Sequence, residues 1–455
     1  MTQPLLIEIG VEELPALPLL KILSQIESSW RDILKANMLE CQFEFLYTPR
    51  RLVIRSSQMP IKQASTSIEL MGPPLDIAIK DGKPTPAAQG FAKKCGVTFE
   101  ELSTIQDKNR EVLYYSSTKE GRKTVKILPE MIKKWIGSMA FGKMMRWGSR
   151  NEEFIRPIRW LQVRLGNRSV PMELFGVKSS NFTFVHRMKS SKKVVVRNID
   201  DFESVLMQGG VILSQSKRKA SIKADFEAIQ KEHNITIDID EDLLDEVVAI
   251  TENPKALLGS FDNSFLKLPP EVIITSMKEN QRYFPVFKPV INEYALSNHS
   301  INEYVLSNHF VVVSNAFTDD YTNVIEGNER VLKPRLSDAM FFYQNDLKRG
   351  LKSDGLELIQ FMDGLGTLKD KIDREEKIGA YLAKKFGVDS TKVIQAVRLA
   401  KADLTSEMVY EFTELQGVMG YYYAKALNLD SDISLAIKEQ YMPIGEGAEL
   451  PSSCL

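Results

Sequence analysis

Residues 5–34 read LLIEIGVEELPALPLLKILSQIESSWRDIL, and a change of period inside this stretch decides the fold class. Leu5, Ile7 and Ile9 alternate with period two, the spacing of a strand that keeps one face in a core. From residue 18 onward, Leu20, Leu23, Ile26, Trp30 and Ile33 recur at the spacing that lines one side of a helix. A strand running straight into an amphipathic helix predicts a mixed α/β beginning rather than a helical bundle.

Outward from there, residues 43–55 return to a strand pattern around Thr48-Pro49. Gly72-Pro73-Pro74 and Gly82-Lys83-Pro84 are breakers around an excursion, and residues 87–94 restart as a helix. Residues 129–145 read as another helix with Pro129 in its first turn. Residues 156–197 favour strands (WLQVRL, SVPMELFGV, FTFVHRM, VVVR), and residues 201–233 are helical with a break at Gly209-Gly210. A second strand-rich passage includes residues 310–313, and beyond residue 351 the strands vanish. There residues 357–386, 391–410 and 417–427 form a series of amphipathic helices. The expected class is therefore α+β and multidomain, with boundaries near Gly166 and Gly350. These give a mixed α/β domain over 1–165, a strand-rich α+β domain over 166–350 and an all-α domain over 351–455. The chain stops at Leu450-Pro451-Ser452 where further helices are expected, so it reads as a fragment or a truncated form.

At 455 residues the chain is too long for one core, and ~150 residues per domain gives about three. Hydrophobic residues at 43% and charged residues at 26% are ordinary for a soluble globular protein. Glu8 follows soon after Met1, and no apolar run approaches the ~18 residues of a membrane span, so the expected address is cytoplasmic with no membrane partner. Cys41, Cys95 and Cys454 are isolated, which excludes a CxxC redox pair or zinc spacing from neighbouring positions. The net charge of −1 excludes a globally basic nucleic-acid binder. Locally the balance differs: residues 143–223 hold 17 Lys or Arg against 6 Asp or Glu, whereas residues 225–246 hold 9 acids opposed by Lys231. One face can thus be positive on a near-neutral molecule; the ordinary alternative is a solvated surface with its own salt bridges.

Catalytic motifs are mostly rejected. Gly137-Ser138-Met139-Ala140-Phe141-Gly142-Lys143 matches the start of a phosphate-binding loop, but Met144 cannot supply the hydroxyl that holds Mg²⁺, and residues 131–136 look helical where a strand is required. Gly364-Leu365-Gly366 lacks the third glycine of a dinucleotide fingerprint, and there is no GxSxG, HExxH or acidic calcium loop. Residues 291–299 recur as residues 301–309 with Val305 in place of Ala295, a local duplication that lengthens a loop or hairpin. Two copies are too few for a solenoid, and a metal site made from His299 and His309 is not expected. No catalytic group and no metal site is assigned to this chain.

What stands out instead is residues 243–348, where apolar turns alternate with Arg, Lys, Asn, Gln and aromatic side chains. Guanidinium groups, amides and rings set close together suit phosphate contact and stacking on unpaired bases. The same region carries Leu268-Pro269-Pro270-Glu271-Val272, Gln281-Arg282-Tyr283-Phe284-Pro285, Asn328-Glu329-Arg330-Val331-Leu332 and Arg335-Leu336-Ser337-Asp338-Ala339. Elsewhere stand Leu6-Ile7-Glu8-Ile9-Gly10, Glu12-Glu13-Leu14-Pro15, Thr48-Pro49-Arg50-Arg51-Leu52, Met145-Arg146-Trp147-Gly148, Arg156-Pro157-Ile158-Arg159-Trp160, Ala402-Asp403-Leu404 and Glu414-Leu415-Gln416-Gly417. These blocks, in this order and almost end to end, resemble the β subunit family of the bacterial two-subunit glycyl-tRNA synthetase.

The resemblance implies a B3/B4-like middle domain, related to modules of phenylalanyl-tRNA synthetase, and a degenerate HD-like helical domain. It implies that glycine activation, with its ATP and Mg²⁺, belongs to a separate α subunit, so this chain needs no cofactor of its own. The partners implied are that α subunit, in a heterotetramer, and tRNA(Gly), with no DNA; nothing in the residues reads glycine or the stoichiometry. Neither synthetase class's adenylation signature is present in the chain. An HD-type phosphohydrolase is a rival reading, but the pair position reads Ala402-Asp403, and all four histidines (His186, His233, His299, His309) precede residue 310. Asp403 is expected to make a structural hydrogen bond. A second rival is an assembly scaffold without RNA affinity.

The candidate tRNA contacts follow from residue chemistry. Arg50 and Arg51 at a turn can clamp phosphate bidentately or serve as ion partners. Arg146, Trp147, Arg156 and Arg159 set cations beside rings, while Trp160 continues into a strand and reads as core. Arg187 ends a strand after His186. Lys278, Gln281, Arg282 and Tyr283 form the sharpest cluster, delivered by the last turn of a helix over 271–280. Arg330, Lys333 and Arg335 recur on one side of the following segment, where Asp338 can order them and Asn328 can cap a helix. Binding is preferred to editing, because no nucleophile or base accompanies them.

Overall fold

The opening strand and helix form where their periods place them: β1 (Thr2–Val11) is followed by α1 (Ala16–Ala36). The computed structural model describes residues 1–108, 110–289 and 304–452. Two compact units are present, one of Met1–Lys217 with Ala249–Glu252, the other of Arg218–Val248 with Asn253–Leu455.

In the first unit, β2 (Glu44–Thr48) and β3 (Arg51–Pro60) lead into β4 (Thr66–Pro74), α2 (Pro86–Cys95), β5 (Ser103–Asp107) and β6 (Arg110–Lys119). Then come α3 (Thr124–Gly137), β7 (Ile158–Leu165) and β8 (Arg168–Ser169). A five-stranded antiparallel sheet runs β8-β7-β1-β3-β2, with Ile7 opposite both Ile54 and Val163. Because β1 is central, both of its faces are covered. Leu5, Ile7 and Ile9 enter a core with Ile26, Trp30 and Trp135, while Leu6 turns to a smaller core with Val53, Phe202 and Leu206. Glu8 shares the parity of Leu6, so the pleat carries a carboxylate indoors. The excursion forms its own sheet, β4-β6-β5, covered by α2 through Ala88 and Phe91.

Two expectations need correction here. Helix α3 starts at Thr124, and Pro129 lies inside it rather than in its first turn. The buried face of Ile127, Leu128, Met131, Ile132, Trp135 and Ile136 holds the helix despite the missing N–H, and Trp135 Nε1 donates to Ile26 O at 2.9 Å. Of the strands read over residues 156–197, β7 is full length; the rest are two-residue pairings at Glu173–Leu174, Val177–Lys178, Phe182–Thr183 and Val194–Val195. Apolar residues there anchor loops instead of extending the sheet. The helix broken at Gly209-Gly210 is found as α4 (Phe202–Gln208) and α5 (Gln215–His233).

The second unit contains β9 (Thr236–Ile237), α6 (Glu241–Ile250, whose last residues lie in the first unit), β10 (Lys255–Ser260), α7 (Pro270–Thr275), β11 (Phe284–Pro289), β12 (Tyr304–Ser314) and α8 (Thr322–Arg349). Its sheet runs β9-β11-β12-β10, all neighbours antiparallel. The first copy of the ten-residue repeat lies outside the described residues; Tyr304 to His309 of the second belong to β12. Helices α9 (Leu368–Phe386), α10 (Ser390–Leu399), α11 (Glu407–Glu411), α12 (Val418–Ala426) and α13 (Ser431–Glu439) complete the unit. Strands do occur beyond residue 351, as a hairpin of Gln360–Met362 with Gly366–Thr367, so the helix read from residue 357 begins at Leu368. There Thr367 caps the helix, accepting from Asp370 N, which sets the start that apolar spacing alone misplaced. The helix read over 391–410 breaks at a 3₁₀ turn, Ala402–Thr405, because Asp403 is drawn inside.

Candidate nucleic-acid interface

Three sequence blocks that are far apart in the chain meet at one end of the five-stranded sheet. Val11 N donates to Arg50 O at 2.9 Å, Leu14 N to Pro49 O at 2.7 Å and Glu12 N to Pro157 O at 3.0 Å. These bonds pin Glu12-Glu13 between the Pro49-Arg50 turn and Arg156-Pro157, and Arg156 Nε adds a bond to Glu13 O at 3.1 Å. A cleft of about 430 Å³ opens here, lined by Glu12, Arg50, Arg159, Trp160, Phe184, Arg187, Ser190 and Ser191, with Ile158 and Val177. Of the sequence-predicted contacts, the structure thus brings together Arg50, Arg159 and Arg187, with Arg156 bonded to the same rim.

The two arginines of the Arg50-Arg51 pair part company. Arg50 is half-buried beside the cleft, its guanidinium 5.6 Å from the Trp160 ring centroid and 3.4 Å from Val185 O. Burial pushes it below the usual arginine range; Glu252 and Glu13 oppose that push, while Arg51 and Arg187 add to it. Arg51 opens β3 and is fully buried, so the expectation that it clamps a phosphate is corrected: its donors are already used. Its Nη1 lies 3.1 Å from Glu8 Oε1, its Nη2 2.9 Å from Glu252 Oε1, and its Nε donates to Thr48 Oγ1 at 3.2 Å. Thr183 Oγ1 donates to Glu8 at 2.6 Å and Thr48 Oγ1 to Glu252 at 2.8 Å. Burial holds the Glu8 carboxyl above its ordinary range against the pull of Arg51. Burial also pushes Glu252 up, but Arg51, Thr48 and Arg50 together bring it below the ordinary range. Trp160 is core, as expected, packed so closely on Gly10 that a Cβ there would sit 1.8 Å from its ring.

Sequence reasoning missed Glu8, Glu12, Glu13 and Glu252. Glu8 was detectable as the one charge in an apolar strand, and Glu12-Glu13 as acids beside an arginine-rich turn only once the turn was known to be adjacent. Exposed ion pairs join Arg159 Nε to Glu12 at 3.2 Å and Arg187 Nη1 to Glu13 at 2.7 Å. Arg146 and Trp147 are not among the cleft's lining residues: Arg146 pairs with Glu153, and Trp147 stacks on Phe175 at 5.2 Å.

In the second unit the Lys278–Tyr283 cluster is spent internally. α7 continues into a π-helical turn, Ser276–Gln281, and Arg282 then adopts a left-handed φ of +60°. Lys278 Nζ lies 2.8 Å from Asp238 and 3.3 Å from Asp240, and Arg282 Nε lies 2.8 Å from Glu246. The acidic run over 225–246 is therefore the counter-charge of this cluster, with further pairs to Lys219, Lys223 and Lys255. Tyr283 is buried, contrary to its expected role as a stacking surface. It stacks on Phe310 at 4.6 Å, donates to Asn328 Oδ1 at 2.7 Å, and burial pushes its hydroxyl up to about 12. Asn328 is thereby a link within the fold and not a helix cap. Gln281 is half-buried. On α8, Arg330 and Lys333 are exposed, and Arg335 pairs at 3.6 Å with Glu411. Asp403 is buried and its Oδ2 accepts from Gly417 N and, at 2.9 Å, Gly420 N; burial pushes its carboxyl up. No group of His, Cys, Asp and Glu suited to a metal ion occurs among the described residues. Likewise no helix among them is long and apolar enough to cross a membrane.

Comparison with known proteins places these blocks in context. The family model described as glycyl-tRNA synthetase beta subunit matches residues 5–455. A protein named glycine–tRNA ligase beta subunit from Helicobacter pylori is 42% identical over 466 residues, covering 99% of this chain and 65% of that protein. The like-named protein of Chromohalobacter salexigens is 37% identical over 457 residues, with 99% and 64% covered, and that of Haemophilus influenzae 36% over 461 residues, with 99% and 64% covered. The chain thus spans just under two thirds of the length of these relatives. It belongs to the glycyl-tRNA synthetase beta subunit family.

Proposed function

We propose that this chain binds and orients tRNA(Gly) for ATP-dependent glycylation at the active site of a partner α subunit, in the cytoplasm. The observation that carries the reading is the cleft where Arg50, Arg159 and Arg187 converge beside aromatic rings, in a chain of this family. Guanidinium groups at a rim with nearby rings suit phosphate and base contact. Adenylation, with ATP and Mg²⁺, falls to the partner, and this chain supplies position, which converts a bimolecular encounter into an oriented one. The B3/B4-like and HD-like domains are part of the same proposal. Within the helical domain, the buried Asp403, bonded to two backbone amides, supports a binding scaffold over a metal phosphohydrolase.

The test is reconstitution. The purified chain forms no glycyl-adenylate and charges no tRNA; with an α subunit added, it co-purifies and supports charging of tRNA(Gly), compared alongside a chain of the relatives' full length. Charging by this chain alone would overturn the division of labour. Failure of both chains to bind tRNA would favour an RNA-independent scaffold.

A further inference from the structure

The arginine cleft contains one cation that the fold leaves unmatched. Arg50 is half-buried, yet its side chain's hydrogen bond is a long one to Val185 O, and no carboxylate pairs with it among the described residues; Glu252 and Glu13 act on it from a distance. A guanidinium has five donors, so most of the capacity of this cleft-lining residue is left for a ligand. Arg159 and Arg187, by contrast, hold carboxylates at the rim, and those two pairs are largely exposed, with Arg side chains 63% and 62% accessible. Exposed pairs of this kind are weak. Their acids sit on a segment whose backbone is held at residues 11, 12 and 14, which keeps both carboxylates at the rim beside the arginines they pair with.

We propose that this cleft is the subsite for one unpaired, phosphate-bearing ribonucleotide, with Arg50 as the phosphate anchor and Glu12 and Glu13 as resident counter-ions that the phosphate displaces. The inference rests on the reading of the chain as an RNA-binding subunit. Carboxylate and phosphate offer a guanidinium the same bidentate geometry, so they compete for the same donors. The volume of about 430 Å³ is far more than a bare anion needs and lies within the range of small-molecule sites. Trp160 is closed off by Gly10, which leaves the half-buried Phe184 ring, 5.0 Å from Trp160, as the surface for a base. Ser190 and Ser191 add hydroxyls that can donate or accept at the sugar edge.

The experiment measures fluorescence anisotropy of the full 455-residue chain with two probes across a salt series: a labelled single-stranded RNA oligonucleotide, and a blunt-ended, fully paired RNA duplex of equal phosphate number. E12Q/E13Q is expected to bind the single strand about 3- to 10-fold more tightly at low salt, because it removes competing carboxylates. Neutralising two exposed acids that do not line the cleft, by E446Q/E449Q, should leave affinity unchanged, which separates local competition from overall charge. R50M should weaken single-strand binding about tenfold and lower the salt slope by about 0.7. R187Q, at an exposed position, should weaken it about threefold and guards against a folding defect in R50M. The duplex should respond to none of these. Weaker binding by E12Q/E13Q, or identical affinity and slope for E12Q/E13Q, R50M and R187Q while the chain still binds tRNA, overturns the subsite and leaves the RNA-binding reading standing. No RNA binding by any form sinks both.

Discussion

Replacing Arg51 with methionine removes the cation that lies between two buried carboxylates. The side chains of Arg51, Glu8 and Glu252 are 0%, 0% and 1% exposed, so solvent does little to screen the loss. Breaking a buried pair by deleting one partner costs ~3–5 kcal/mol, chiefly because the orphaned charge stays indoors. The first unit has the size for which 1 kcal/mol moves the melting temperature by ~2–4 °C, so R51M should melt roughly 6–20 °C lower. The pH dependence follows from the two shifts. Glu252, held below its ordinary range, stabilises the fold above its unfolded pKa, and that stability is lost as pH falls through the folded value. Glu8, held above its range, contributes stability that is complete below its unfolded pKa and is lost as pH rises through the folded value. Without Arg51 both glutamates favour the neutral form, so the gap between wild type and variant should be widest at neutral pH and narrow on acidification toward ~4.3. Glu8→Gln, which mimics the protonated acid, should cost only about 1 kcal/mol. All four tryptophans lie in the first unit, so thermal melts followed by tryptophan fluorescence report that unit alone. If R51M melts within ~2 °C of wild type while its RNA affinity collapses, Arg51 is a ligand and the structural assignment is refuted.

Arg282 should reverse the usual ranking of alanine and glycine. Both R282A and R282G lose the Glu246 pair, but at φ +60° a Cβ is penalised, so R282G should be about 1 kcal/mol more stable than R282A by urea unfolding; equal stabilities would mean the left-handed turn relaxes. In the helical part of the second unit, the buried Asp346 accepts from Tyr423 Oη at 2.7 Å and from the amides of Glu407 and Met408 at 2.9 and 3.0 Å. Tyr423→Phe should therefore cost about 1.5–3 kcal/mol and speed hydrogen exchange at those two amides; unchanged exchange would show that the hydroxyl does not organise the α11 start.

Periodicity located β1, α1, α2 and β12 because the signal is local: each apolar stripe repeats within a few residues of itself. It failed at residues 173–195, where apolar side chains plug loops, and at residue 357, where a capping threonine ten residues on sets the helix start. The basic residues of the candidate interface were legible as a list but not as a place. Chemistry nominated Lys278 and Arg282, and the acidic run over 225–246 took them, a pairing between segments roughly forty residues apart.

By itself, then, the order of residues determined the α+β class, the positions of β1, α1, α2 and β12 and the family to which the motif blocks belong, but not the longest helix, α8. Only the tertiary structure decided that Arg51 turns inward to Glu8 and Glu252 while its neighbour Arg50 faces a cleft, and that Glu12 and Glu13 meet Arg159 and Arg187 there. The physical reason is that burial and electrostatics depend on distance in space. A one-residue step along the chain reverses which side of a sheet a side chain occupies, and a separation of two hundred residues disappears when two strands and a loop pack together.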